Sequence, residues 1–134
     1  FSALLAAAAS ATAVSLSYDE TYDDASLSLT SVACSDGTNG LITKGYTTLG
    51  SLPDFPYVGG ADVVAGWNSP NCGTCWTLSW DVTGNSIDLL VVDAASSGFN
   101  IALEAMNSLT NNQAVDLGRI DVTATQVDAS NCGL

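Results

Sequence analysis

Cys72-Gly-Thr-Cys-Trp-Thr-Leu-Ser-Trp-Asp-Val-Thr-Gly-Asn-Ser-Ile-Asp-Leu-Leu-Val-Val-Asp93 holds two strands and the turn between them. From Cys75 to Val82 the residues alternate, with Trp76, Leu78 and Trp80 on one face and Thr77 and Ser79 on the other. That period of two is the mark of a half-buried strand. Thr83-Gly84-Asn85 breaks the run as a turn. Ser86 to Asp93 is then almost continuously apolar through Leu89-Leu-Val-Val92, as in a central strand buried on both faces.

The same period recurs outward from this block. Val14-Ser-Leu-Ser-Tyr18 alternates and opens the domain, and Ile120 to Val127 alternates strictly and closes it. Asp62-Val-Val-Ala-Gly66 reads as a short strand before a turn at Asn68-Ser-Pro70. Helices are scarce. Ile101, Ala105 and Leu109 stand at helical spacing between Asn100, a potential cap, and Leu109. A shorter helix is predicted over Thr48 to Leu52, stopped by Pro53, while Gly37 to Gly40 and Leu52 to Gly60 read as loops. The fold class is therefore mainly β with small helices (α+β), about six short strands in a compact barrel. The pattern does not choose the barrel's topology.

The chain has 134 residues, 14 acids against 2 bases, and no histidine. One domain with a single modest core is expected at this length. A net charge of −12, with Lys44 and Arg119 as the only bases, argues against nucleic-acid and anionic-membrane partners. Without histidine, Ser-His-Asp and Cys-His catalysis and every His-ligated zinc site are excluded. Hydrophobic residues nevertheless make up 47% of the chain, so it is not an acidic disordered tail. Phe1 to Ala13 is uncharged and ends in the small-x-small pattern Ala11-Thr12-Ala13, which reads as the remnant of an export signal cleaved before Val14. It is too short to span a bilayer. The mature domain would run from residue 14 to 134 and be secreted.

Export gives Cys34, Cys72, Cys75 and Cys132 a structural reading as disulfides. Three pairings exist on paper. Joining Cys72 to Cys75 closes a tiny strained ring. Joining Cys34 to Cys72 and Cys75 to Cys132 closes two long loops, each contributing about 4 kcal/mol in the chain-entropy account. Cys72-Gly-Thr-Cys75 also has the form of a redox motif, but it runs into a strand rather than opening a helix. A four-Cys zinc site would need two isolated single cysteines as ligands.

Six stretches together resemble the cerato-platanin family of small secreted fungal proteins. They are Val14-Ser-Leu-Ser-Tyr-Asp19, Ser31-Val-Ala-Cys-Ser-Asp-Gly37, Phe55-Pro-Tyr-Val-Gly-Gly60, Ala65-Gly-Trp-Asn-Ser-Pro-Asn-Cys-Gly-Thr-Cys-Trp76, Gly98-Phe-Asn100 and Gln126-Val-Asp-Ala-Ser-Asn-Cys132. The resemblance spans Val14 to Leu134. It implies a six-stranded double-psi β-barrel, similar to the first domain of expansins, with Cys34–Cys72 and Cys75–Cys132 as the disulfides. It also implies a non-catalytic binder of chitin and N-acetylglucosamine oligomers that loosens cellulosic material, and a role as plant-defence elicitor or allergen. Extracellular or cell-wall localisation follows, as a monomer with a capacity for self-assembly.

Sugar recognition needs carboxylates and amides for hydroxyl and N-acetyl groups, together with an aromatic face. Asp93 leads the candidates because it ends the apolar run Leu89–Val92 and aligns with the family's strand-terminal aspartate. Tyr18, Asp62, Asn68 and Asn100 lie in family blocks beside strand ends; many family members carry Asp where this chain has Asn68. Trp76 and Trp80 fit a core, and Trp67, in a loop near Pro70, is the tryptophan expected to be exposed. Hydrolysis requires two carboxylates at a set separation, and the sequence presents only Asp93 clearly. Weak cleavage using Asp93 and interfacial self-assembly are the alternative functions. No Asn-x-Ser/Thr sequon, phosphate loop or metal-ligand cluster is present, so neither N-glycosylation, a cofactor nor a metal is expected.

Overall fold

The computed structural model describes residues 12–134, so the signal expectation for residues 1–13 lies outside the described residues except for Thr12 and Ala13, which stand in the first strand. Six strands close into a barrel: β1 (Thr12–Tyr18), β2 (Val58–Ala61), β3 (Cys75–Trp80), β4 (Asn85–Ala94), β5 (Phe99–Ile101) and β6 (Arg119–Val127). Their spatial order is β1-β5-β2-β4-β3-β6, with β6 returning to β1. The β1–β5 and β2–β4 pairs are parallel and the other four antiparallel. Closure leaves no unpaired edge strand.

The strands with a readable period form where the alternation places them. In β6, Ile120, Val122 and Ala124 are buried and Arg119 and Asp121 exposed. In β4, Leu89 to Val92 are wholly buried between β2 and β3. β3 stops at Trp80, two residues short of the expected Val82, because the turn to β4 begins at Asp81. β1 begins two residues early, since β6 offers partners at Ala124 and Thr123 to Thr12 and Ala13.

Three expectations are corrected. Asp62 to Gly66 is not a strand; the strand is Val58-Gly-Gly-Ala61, whose first three residues fall in the Leu52–Gly60 segment read as a loop. Nothing in that tetrapeptide alternates, and it is extended because it is wedged between β4 and β5. A Cβ on Gly59 would come within 2.5 Å of the Asn100 carbonyl oxygen, so only glycine permits the approach. Asn100 does not cap a helix but lies in β5. The helix, α1 (Leu103–Thr110), starts after Ala102, and its first amides are accepted by a distant residue: Leu103 and Glu104 N–H donate to the two Asp23 oxygens at 2.8 and 3.0 Å. The Thr48–Leu52 helix reduces to a 3-10 turn, Leu49–Ser51.

Both disulfides pair as the resemblance implies, Cys34–Cys72 and Cys75–Cys132, with Cα–Cα distances of 5.4 and 5.7 Å. Cys34–Cys72 joins the long loop between β1 and β2 to the loop between β2 and β3. Cys75–Cys132 fastens the C-terminal 3-10 turn (Ala129–Cys132) to the start of β3. A second short helix, α2 (Ala114–Leu117), packs beside α1.

A β-bulge positions the candidate site. Gly59 pairs with Val91 but Gly60 pairs with Asp93, so β4 carries one extra residue, Val92. Without the bulge, Val92 would stand opposite Gly60 and Asp93 would turn to the other face of the sheet.

Candidate functional site

Four residues form a row across neighbouring strands. Ser17 pairs with Asn100, Asn100 with Gly60, and Gly60 with Asp93. Directly paired residues project to the same face, and the Ser17 hydroxyl accordingly donates to Asn100 Oδ1 at 3.0 Å. Asp93 and Asn100 are two strand spacings apart, about 10 Å, with the bare Gly60 between them. A Cβ there would meet the Tyr22 hydroxyl at 3.3 Å, so Tyr22 lies over the gap. The row thus presents a carboxylate, an amide and a serine hydroxyl, each partly exposed, with the buried Tyr22 phenol bracing the carboxylate. No enclosed pocket is found among the described residues.

Asp93 is half-buried and fixed by three donors. Tyr22 OH donates to Oδ2 at 2.8 Å, while Ala33 N–H and Ala94 N–H donate to Oδ1 at 2.8 and 2.9 Å. Two donors fill the lone pairs of Oδ1, so the acceptor capacity left to a ligand is on Oδ2, which takes only the Tyr22 hydroxyl. Burial, and then the bond to Asp93, push the Tyr22 phenol above its ordinary range, so it stays a neutral donor.

The other candidates divide. Asp62, two positions past Gly60 and exposed, accepts from Gly98 N–H at 2.8 Å while its own N–H donates to the Gly98 carbonyl at 2.9 Å, clamping the turn before β5. Strand alternation turns Tyr18 to the face opposite Ser17, half-buried against the core. Asn68 and Trp67 are on the β2–β3 loop, outside the row. Asn68 has φ 61°, and its side-chain oxygen accepts from Asn39 N–H at 2.9 Å. Trp67 is 62% exposed, and its Nε1–H donates to Asp36 Oδ1 at 2.6 Å. Trp76 is half-buried edge-on to Phe99, ring centroids 5.7 Å apart, and Trp80 also packs on the core.

The sequence reading missed two of the row's partners. Tyr22 is the one aromatic in the acidic run Asp19–Asp24, and that isolation was its only signal. The Ala33 amide has no side-chain signature at all. A second acidic feature sits elsewhere on β4. Asp88 accepts from the Thr77 hydroxyl at 2.6 Å, and the nearby Asp54 has a buried Oδ2 without a hydrogen-bond partner. Burial, reinforced by the Asp88 charge, pushes the Asp54 carboxyl up to about 7. No cluster of three or more Cys, Asp or Glu able to hold a metal occurs among the described residues.

The cerato-platanin family model matches residues 14–134. An "Allergen Asp f 15 homolog" of Arthroderma benhamiae is 58% identical over 130 residues, covering 97% of this chain; the chain spans 63% of that relative's length. The crystal structure of cerato-platanin 3 from M. perniciosa superposes with a TM-score of 0.89 at 55% identity, covering 92% of this chain and all of that one. The solution structure of the fungal elicitor Cerato-Platanin gives 0.80 at 48% identity, covering 89% of this chain and 96% of that one. With the same closed barrel and a family match running from Val14 to the last residue, the chain belongs to the cerato-platanin family.

Proposed function

We propose that this protein is a secreted, non-catalytic carbohydrate-binding protein that takes N-acetylglucosamine oligomers. The observation that carries the reading is the Ser17–Asn100–Gly60–Asp93 row. Across three strand spacings it brings a hydroxyl, an amide and a carboxylate, all partly exposed, to one face, groups suited to the hydroxyls and N-acetyl groups of an extended neutral sugar. Asp93 acts as a hydrogen-bond acceptor held in place by Tyr22 and Ala33. Competition of the same row for the hydroxyls of packed chains would loosen chitin or cellulose in an expansin-like way, without bond cleavage. Sequestering or presenting chitin fragments links the activity to elicitation of plant defence, in line with the fungal elicitor named among its relatives. Two disulfides suit an oxidising extracellular or cell-wall location.

One observation favours a second reading, assembly at interfaces. Val82 and Val115 are 76% and 63% exposed, and Leu117 is also exposed. All three surround the end of α1, because the turn after Val82 is tied there by the Thr83 hydroxyl on the Leu109 carbonyl.

Calorimetric titration with chitin hexamer, alongside an assay for new reducing ends, tests the reading. Saturable binding with a constant number of reducing ends is expected. Time-dependent reducing ends abolished by Asp93→Ala would replace it with the hydrolase alternative, and film formation without any glycan response would replace it with interfacial assembly.

A further inference from the structure

Trp67 is a large aromatic left largely in water, yet the fold holds its ring at two points. Its Nε1–H donates to Asp36 Oδ1 at 2.6 Å. Its ring lies against bare backbone: a Cβ on Gly37, itself at φ +82°, would stand 3.0 Å from Trp67 Cζ2 and 2.7 Å from Asn68 Oδ1. The next residue, Asn68, is locked reciprocally to Asn39. Its Oδ1 accepts from Asn39 N–H, and its carbonyl accepts from Asn39 Nδ2 at 3.0 Å. Cys34–Cys72 then bonds the same two loops covalently. An exposed hydrophobic residue alone needs no explanation. An exposed indole held by a carboxylate, a glycine seat and a paired-asparagine lock is a preorganised surface, whose ordering cost is met in the fold and not on binding.

We infer that Trp67 is a sugar-stacking platform, with Asp36 as its positioning residue, and that it forms a second subsite apart from the Asp93 row. The inference rests on the glycan-binding reading above and adds a second point of contact. The apolar ring face suits the C–H face of a pyranose, and the amides of Asn39 and Asn68 stand beside it at the Gly37 seat. The segment linking the two subsites is short. Ala33 donates to Asp93 and Gly37 seats Trp67, so four residues, at most about 14 Å of extended chain, separate them. A ligand of several sugar units is long enough to bridge that distance.

The test compares chitin dimer and hexamer by calorimetry on the wild type, Trp67→Ala, Trp67→Phe and Asp36→Ala, with the indole N–H resonance of Trp67 followed by NMR. Trp67→Ala is expected to weaken hexamer binding about three- to tenfold while leaving dimer binding unchanged. Trp67→Phe, which keeps a ring face, should restore most of the loss. Asp36→Ala should move the free-state indole resonance and weaken the hexamer, and Asp36→Asn, which retains the acceptor, should rescue both. Hexamer binding by Trp67→Ala equal to wild type, with the Asp93 row still required, would remove the platform and leave the glycan reading standing. Absence of any hexamer binding by the wild type at millimolar concentration would overturn both. Saturation of Trp67 by a lysine-rich peptide but not by sugar would overturn the platform in favour of a cationic ligand.

Discussion

Tyr22 and Asp93 lie 71 positions apart and meet through a 2.8 Å hydrogen bond from the phenol to Oδ2. The contact joins the 3-10 turn after β1 to the bulged strand β4, and with it one end of the row is fixed. Removing only the hydroxyl, in Tyr22→Phe, leaves Asp93 with its two backbone donors. A hydrogen bond to a charged group contributes about 1.5–3 kcal/mol, so a thermal midpoint several degrees lower is expected, with weaker hexamer binding. An unchanged midpoint in a differential scanning measurement would mean that the bond does not fix the strand end.

Gly60 is the gap in the row. In Gly60→Ala the new methyl would stand 2.7 Å from the Ala94 carbonyl oxygen, a backbone atom that cannot swing aside. A loss of about 1–3 kcal/mol from overpacking is expected in urea unfolding. Gly66→Ala, with nothing within 4 Å, serves as the control and should be nearly neutral.

Asp54 governs a pH response. Its folded pKa is raised to about 7 from an ordinary 3.8, by burial first and by Asp88 second. The folded chain therefore holds a proton that the unfolded chain releases. The resulting stabilisation is fully present below pH 3.8, falls as pH rises, and is gone above about 7. Because the group is only half-buried, the effect is discounted to a few degrees of midpoint. The difference in midpoint between wild type and Asp54→Asn, followed from pH 4 to 8, should change across that window. A constant difference would show that Asp54 titrates normally.

Asp23 caps a helix from 80 residues away. Asp23→Ala strips both acceptors from the Leu103 and Glu104 amides, and a cost of about 1 kcal/mol is expected in urea unfolding. Amide exchange at those two positions should quicken, and protection equal to wild type would contradict the capping role.

How far the sequence could be read depended on where each element's stabilisation comes from. β6 and β3 were legible because alternation is local, and β4 because a buried run declares itself. Val58-Gly-Gly-Ala61 has no period, and its extended state is imposed by the two strands that squeeze it. The start of α1 was misjudged for the same reason, since its cap is Asp23 rather than a neighbour. At the site, the strand-terminal Asp93 and the exposure of Trp67 could be anticipated from their local settings. The bulge that aims Asp93, the Tyr22 hydroxyl and the Ala33 amide could not, because each exists only once distant segments meet.

The most direct test of the central claim is amide chemical-shift mapping of the nitrogen-15-labelled protein titrated with chitin hexamer. The largest changes should fall on Ser17, Ala33, Gly60, Asp93 and Asn100, with Thr77 on β3 and Asp88 farther back along β4 unmoved. An absence of change along that row at millimolar hexamer, or changes centred on Thr77 and Asp88, would contradict it.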